Sequence, residues 1–269
     1  MAVLPRSWLF TPGSRPDRFA KAAASEADAL ILDLEDAVAE EAKAEARQHV
    51  LAFLENRPDA RKQICVRINP LGRKLGLEDL VAFAQLADGP DYLLIPKAEE
   101  PAELALADKV LTDQGSRTRL LALVESAKGV CHAGGLAAST PRLAAFMFGA
   151  ADYAADLGQQ VGTFKPDFAR QSLVNAAASG GIAVIDSPFF AIDNPAALLD
   201  ECRQSRALGF SGKAAIHPAQ IEAIREMFSP TPEERDLAQR ILAAAPDGVG
   251  ILDGKMIDIA MVRWASRNA

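Results

Sequence analysis

Residues Ala29 to Val38 read ALILDLEDAV, an apolar run that ends on Asp33, Glu35 and Asp36. A run with no polar face suits a strand buried on both sides, as in a parallel sheet covered by helices. Seven further runs share this form: SWLFT from Ser7, ICVRIN from Ile64, YLLIPK from Tyr92, LLALVE from Leu120, AAFMFG from Ala144, IAVIDS from Ile182 and GKAAIH from Gly212. Their starts lie roughly 20 to 40 residues apart, enough for a helix and two turns each. Eight such units predict an α/β protein, a (β/α)8 TIM barrel.

The segments between the runs carry helical spacing. EEAKAEARQHVLAFLEN places Ala44, Val50, Leu51 and Leu54 among charges, which reads as an outer helix with one apolar stripe. Residues 79–86, 101–111, 167–178, 196–208 and 219–228 read similarly, several opening on Pro or Asp. The two prolines of SPTPEER mark a hinge. The expected organisation is a catalytic barrel over residues 1–228 and a C-terminal extension over 229–269, a helix followed by the lid-like GVGILDGKMID.

Composition narrows the class. Of 269 residues, 49% are hydrophobic and 24% charged, so the chain can bury a core. The formal charge of -7, with no dense basic stretch, argues against a nucleic-acid partner. Three scattered cysteines suggest buried free thiols rather than a disulfide framework or zinc site. No apolar run has the length of a signal peptide or membrane span, so a cytoplasmic protein without a membrane partner is expected.

In a barrel of this kind the active site sits where strands end, so polar residues there carry a functional expectation. The eight runs end near Arg15; Asp33, Glu35 and Asp36; Arg67 and Asn69; Lys97; Glu125; Asp152; Asp186 and Ser187; and His217. So many carboxylates in one cup would repel one another unless a cation intervened. Mg²⁺ takes oxygen ligands and uses only one or two protein carboxylates, a role suited to Glu125 and Asp152 from successive strands. Asp33, Glu35 and Asp36 would then hold metal-bound waters or orient arginines. Backbone N–H groups of Gly149, Ala150 and Ala151 in FGAAD are candidates for a substrate carboxylate. Arg67 offers a planar fork to a carboxylate or a developing enolate.

Plainer readings compete. The acids at 33–36 precede a helix and could cap it, and Arg67 could pair with a structural acid. Lys97 could instead be a Schiff-base nucleophile of a metal-independent aldolase. His217 reads as readily as a barrel-end structural residue, His49 and His132 lack ligand spacing, and Asp186 reads as a hydrogen-bonding barrel residue.

Eight pieces in order, RSWLFTPGSRPDRFAKA, ADALILDLEDAV, VRINP, IPKAE, LVESAKGV, FGAADYAADLG, IDSPF and GFSGKAAIHPAQI, resemble the citrate lyase beta-subunit family, which is grouped with malyl-CoA lyases. The resemblance implies a Mg²⁺-dependent carbon–carbon lyase. A citryl thioester, carried on coenzyme A or an acyl carrier, would give oxaloacetate and acetyl thioester by retro-Claisen cleavage; malyl-CoA or citramalyl-CoA is the alternative substrate, and a non-catalytic complex subunit the alternative role. It implies Glu125 and Asp152 as metal ligands, Arg67 as the substrate arginine, and Glu35 and Asp36 as the active-site acidic pair. It also implies Asp258, in a lid supplied by a neighbouring subunit of a homotrimer or hexamer, as proton donor, with Arg15 and Lys21 near the carrier's phosphates. On this reading Lys97 is a structural or ion-pairing residue.

Overall fold

The structure is a computed structural model that describes residues 4–57 and 62–269. Eight parallel strands close into one barrel in chain order: β1 (Ser7–Pro12), β2 (Ala29–Asp33), β3 (Gln63–Arg67), β4 (Tyr92–Ile95), β5 (Arg119–Val124), β6 (Leu143–Phe148), β7 (Ala183–Asp186) and β8 (Gly212–Ala215). β1 pairs with β8 through Ser7–Lys213 to Leu9–Ala215, which completes the ring. All eight runs picked out by their lack of a polar face are therefore strands.

The helices are α1 (Phe19–Ala23), α2 (Lys43–Glu55), α3 (Lys74–Ala84), α4 (Pro101–Asp113), α5 (Ala127–Cys131), α6 (Ala133–Ala137), α7 (Ala150–Asp156), α8 (Asp167–Gly180), α9 (Pro195–Leu208) and α10 (Ile221–Phe228). α2 buries Lys43, Ala46, Val50 and Leu54, so its inner stripe runs at a spacing of four through Ala46, whereas Ala44 is exposed and Leu51 half-buried. α3 begins at Lys74, earlier than expected, because Gly76 lies tight against the Asn69 and Pro70 carbonyls and lets the helix start there. β7 is followed by a loop to Asn194, whose side chain accepts from the Ala197 N–H and caps α9 ahead of Pro195.

Alternation along the strands decides what reaches the barrel axis. Trp8, Ala29, Ile31, Cys65, Tyr92, Leu94, Leu121, Leu123, Ala144, Ala145, Met147, Ile185 and Ala214 belong to one buried cluster, and on β2, β4 and β5 its members are two residues apart. Trp8 closes one end, donating its indole N–H to the Pro5 carbonyl (2.9 Å) and meeting Tyr92 edge-on. Extending the period of two past the cluster leads to Asp33 and Glu35 on β2, Arg67 on β3, Glu125 on β5 and Gly149 on β6.

Asp186 and Lys213 fall on the other parity. Lys213 is fully buried between barrel and helices, where its Nζ donates to Asp186 Oδ2 (2.7 Å), Ser187 O (2.6 Å) and Glu201 Oε1 (2.6 Å). Arg170 of α8 and Ser205 of α9 also bond Asp186. Asp186 thus ties the outer helices to the sheet and takes no part in the mouth.

The chain divides into two compact units, Met1–Glu226 and Met227–Ala269. The second holds α11 (Pro232–Ala244), a hairpin of β9 (Gly250–Leu252) and β10 (Lys255–Ile257), and α12 (Ile259–Asn268). Thr231 and Glu234 form a reciprocal cap at the start of α11, and Ala238, Ile241, Ala245, Ile257 and Ala265 make this unit's own core. No helix among the described residues is long and apolar enough to cross a membrane.

Candidate active site

The mouth is organised around Arg67. Its Nε and Nη2 donate to the two carboxylate oxygens of Asp33, both at 2.6 Å. Its Nη1 lies 3.0 Å from Glu35 Oε2 and 3.6 Å from Asp36 Oδ2, and its guanidinium stacks over Phe10 at 5.1 Å. Burial works against the Arg67 charge, but Asp33, Glu35 and Asp36 outweigh it and the pKa is raised. Asp33 also accepts from the Glu35 N–H (3.0 Å) and the Ala37 N–H (3.2 Å), which shapes the loop. The buried Lys43 ammonium pins the same loop by donating to the Leu34 and Glu35 carbonyls. The capping reading of these acids fails: the next helical turn starts at Glu40, its cap residue is Ala39, and no side chain caps it.

Lys97 stands between two glutamates. Its Nζ donates to Glu35 Oε1 (2.8 Å), and its backbone N–H donates to Glu125 Oε1 (2.8 Å). Burial disfavours the ammonium, yet the hydrogen bond and charge of Glu35 raise its pKa. A Schiff-base lysine needs a depressed pKa to be a free amine, so this environment opposes the nucleophile reading.

Glu125 is 4% exposed and its carboxyl is pushed up to about 8, by burial first and then by the charges of Glu35 and Asp152. Glu35 is raised too, by burial, although Arg67 and Lys97 pull it down, and its buried Oε2 has the Arg67 ion pair but no aligned hydrogen bond. Four carboxylates, Asp33, Glu35, Asp36 and Glu125, thus gather about two cations, Arg67 and Lys97, while Asp152, exposed in the first turn of α7, acts on Glu125 through its charge. Arg67 is committed to Asp33 and the Lys97 ammonium to Glu35, so no cationic side chain among the described residues pairs with Glu125 or Asp152. Their hard oxygens suit Mg²⁺, which completes its shell with water and substrate. No group of three or more acids, histidines or cysteines among the described residues is placed for a metal.

Gly149 has a different part from the one expected. Its N–H donates to the Val124 carbonyl (3.0 Å), so it is not a donor for a substrate carboxylate. What matters is the missing side chain: a Cβ there would sit 2.4 Å from Glu125 Cβ and 2.7 Å from Glu125 Oε2. Gly149→Ala is expected to displace Glu125 and to cost about 1–3 kcal/mol in chemical unfolding against wild type. Ala150 and Ala151 open α7, and Asp152 lies in its first turn.

Other expected residues make local contacts of their own. Arg15 forms a two-pronged exposed pair with Asp17 (2.8 and 2.7 Å). Asn69 turns onto Asp79, which accepts from both its N–H and its side-chain amide. His217 accepts from the Ala219 N–H in a capping arrangement with Gln220, a structural role. Asp258, in the second unit, caps α12 by accepting from Ala260 and Met261 through Oδ1. Phe10, beneath Arg67, was missed because an aromatic at a strand end carries no chemical signal of its own.

Known proteins share this arrangement of chain. The HpcH/HpaI aldolase/citrate lyase family matches residues 6–218. An L-malyl-CoA/beta-methylmalyl-CoA lyase of Cereibacter sphaeroides is 35% identical over 292 residues, 97% of this chain and 92% of the relative. A (3S)-malyl-CoA thioesterase of the same species is 36% identical over 264 residues, 94% of this chain and 89% of the relative. The crystal structure of CitE from Mycobacterium tuberculosis, in complex with magnesium, acetoacetate and coenzyme A, is similar at a TM-score of 0.77 and 34% identity, over 97% of this chain and 95% of that one.

Proposed function

This chain belongs to the HpcH/HpaI aldolase/citrate lyase family, and from that premise we propose that it is a Mg²⁺-dependent carbon–carbon lyase acting on a 3-hydroxyacyl-CoA thioester of the citryl or malyl type. The observation that carries the reading is the Glu125–Asp152 pair, left without a cation of its own in a cup where Glu125 is pushed up to about 8. Glu125 and Asp152 would hold the ion, which would supply Lewis acidity for the reaction.

The chain's own residues do the rest. The substrate hydroxyl gives its proton to solvent water and the bond between its carbon and the α-carbon breaks, its electron pair passing to the thioester, which leaves a keto acid and a thioester enolate. Arg67, held flat by Asp33 and Phe10, faces the negative charge that develops. Glu35 and Asp36 hold Arg67 and Lys97 in register. The N–H groups of Ala150 and Ala151 are donors for the keto acid's carboxylate. Asp258 of a neighbouring copy protonates the enolate, which makes the working form a homotrimer or hexamer in the cytoplasm, and Arg15 reaches the carrier's phosphates.

The test is a panel of citryl-, malyl-, β-methylmalyl- and citramalyl-CoA, with Mg²⁺ or with a chelator, read by keto acid and acyl-CoA product. Keto acid and acyl-CoA in equal amounts, abolished by the chelator, are expected. Turnover that survives chelation and is trapped by borohydride would sink the proposal in favour of Lys97. The thioesterase among the relatives makes hydrolysis the second reading: free coenzyme A with the intact hydroxy acid, and no keto acid, would decide for it.

A further inference from the structure

Of the described residues other than glycine, Lys97 and Asp253 alone have positive φ, and Lys97 does so at the mouth of the barrel (φ 50°). A side-chain-bearing residue is uncommon there, and strain of this kind persists where the surroundings impose it. An ammonium on Glu35 can be delivered from ordinary backbone by a side chain with four rotatable bonds. The main chain is the part that needs the left-handed turn.

The turn follows Pro96, which has no N–H, and the next two N–H groups both go to the end of β5: Lys97 N to Glu125 Oε1 (2.8 Å) and Ala98 N to Leu123 O (3.1 Å). From the opposite side β6 comes up against the same carboxylate, with Gly149 bare where a Cβ would lie 2.7 Å from Oε2. Glu125 is therefore fixed by one backbone donor on Oε1 and by one missing side chain beside Oε2.

Resting on the Mg²⁺ reading of this site, we infer that Lys97 is a positioning residue for Glu125, acting through its left-handed main chain rather than its ammonium. The N–H engages Oε1 and holds the carboxylate in one orientation, in which Glu125 would be presented to the ion. Outer partners of this type set ligand orientation, and losing one typically costs 10–100-fold in metal affinity.

The two functions separate in a series that removes the ammonium throughout and varies only the backbone. Lys97→Gly adopts positive φ freely, whereas Lys97→Val is β-branched and excluded from it. Mg²⁺ affinity of the substrate-free protein, by titration calorimetry, is expected within about threefold of wild type for Lys97→Gly and at least tenfold weaker for Lys97→Val. Lys97→Gly should still lose kcat, because Glu35 and Asp36 lose the ammonium beside them. Equal affinities in the Gly and Val proteins, whether intact or weakened, would overturn the inference while leaving the function standing. If wild type itself binds no Mg²⁺, the function reading falls and this inference with it. Should Lys97→Val not fold, Lys97→Ala replaces it, with at least threefold weaker binding than Lys97→Gly expected and equality again decisive against.

Discussion

Asp33→Ala is expected to destabilise the protein by about 3–5 kcal/mol and to lower kcat/KM by about 10²-fold. Both effects come from Arg67, which lies buried with two 2.6 Å bonds to Asp33 and an aromatic face behind it. With Asp33 gone, the guanidinium of a residue 9% exposed keeps its charge but loses its bidentate partner, and it swings toward Glu35 and Asp36. Asp33 also closes the following loop on the Glu35 and Ala37 N–H groups, so alanine removes two functions at once. Asp33→Asn separates them: one amide oxygen still accepts a loop N–H, but the charge matching Arg67 is absent. Urea unfolding and kcat/KM measured on both proteins check this. An Asn protein as stable and active as wild type would mean that Asp33 matters for the loop alone.

How far the site could be read from sequence follows from side-chain parity. The eight apolar runs announced the barrel because a parallel strand covered on both faces has no polar side to disguise it. The same runs announced Asp33, Arg67 and Glu125, and these share the parity of Ile31, Cys65 and Leu123 in the barrel core. Asp186 also ends a run, yet it neighbours the inward Ile185 and so points outward to Lys213 and Arg170. Counting by twos from the core would have separated it from the others. No such count reveals the part of Lys97 or Gly149, because one depends on a backbone angle and the other on an atom that is not there. Ala44 and Leu51 of α2 were misplaced for a related reason: alanine and leucine are tolerated on either face, and the buried Lys43 and Ala46 show that the stripe is set by what the sheet presents.

Glu125→Gln should lower kcat/KM by about 10³-fold or more, since an ion held by two carboxylates cannot lose one and keep its place. Its pH behaviour distinguishes a metal ligand from a merely buried acid. In the metal-free protein the carboxyl ionises near 8 rather than 4.5, so between those values the folded state holds a proton that the unfolded state has released. Stability therefore falls as pH rises through that window, by up to about 1.4 kcal/mol per pH unit from this group. The substituted amide cannot ionise, so with chelator present the Glu125→Gln protein should match wild type near pH 5 and be the more stable near pH 8. Mg²⁺ reverses the order. The ion needs the carboxylate, so wild-type affinity should rise about tenfold per unit up to pH 8 and the ion should stabilise wild type alone. Urea midpoints from pH 5 to 8, with chelator and with Mg²⁺, read both signs. A Glu125→Gln protein that gained as much from Mg²⁺ as wild type would show that Glu125 is buried for some reason other than holding the ion.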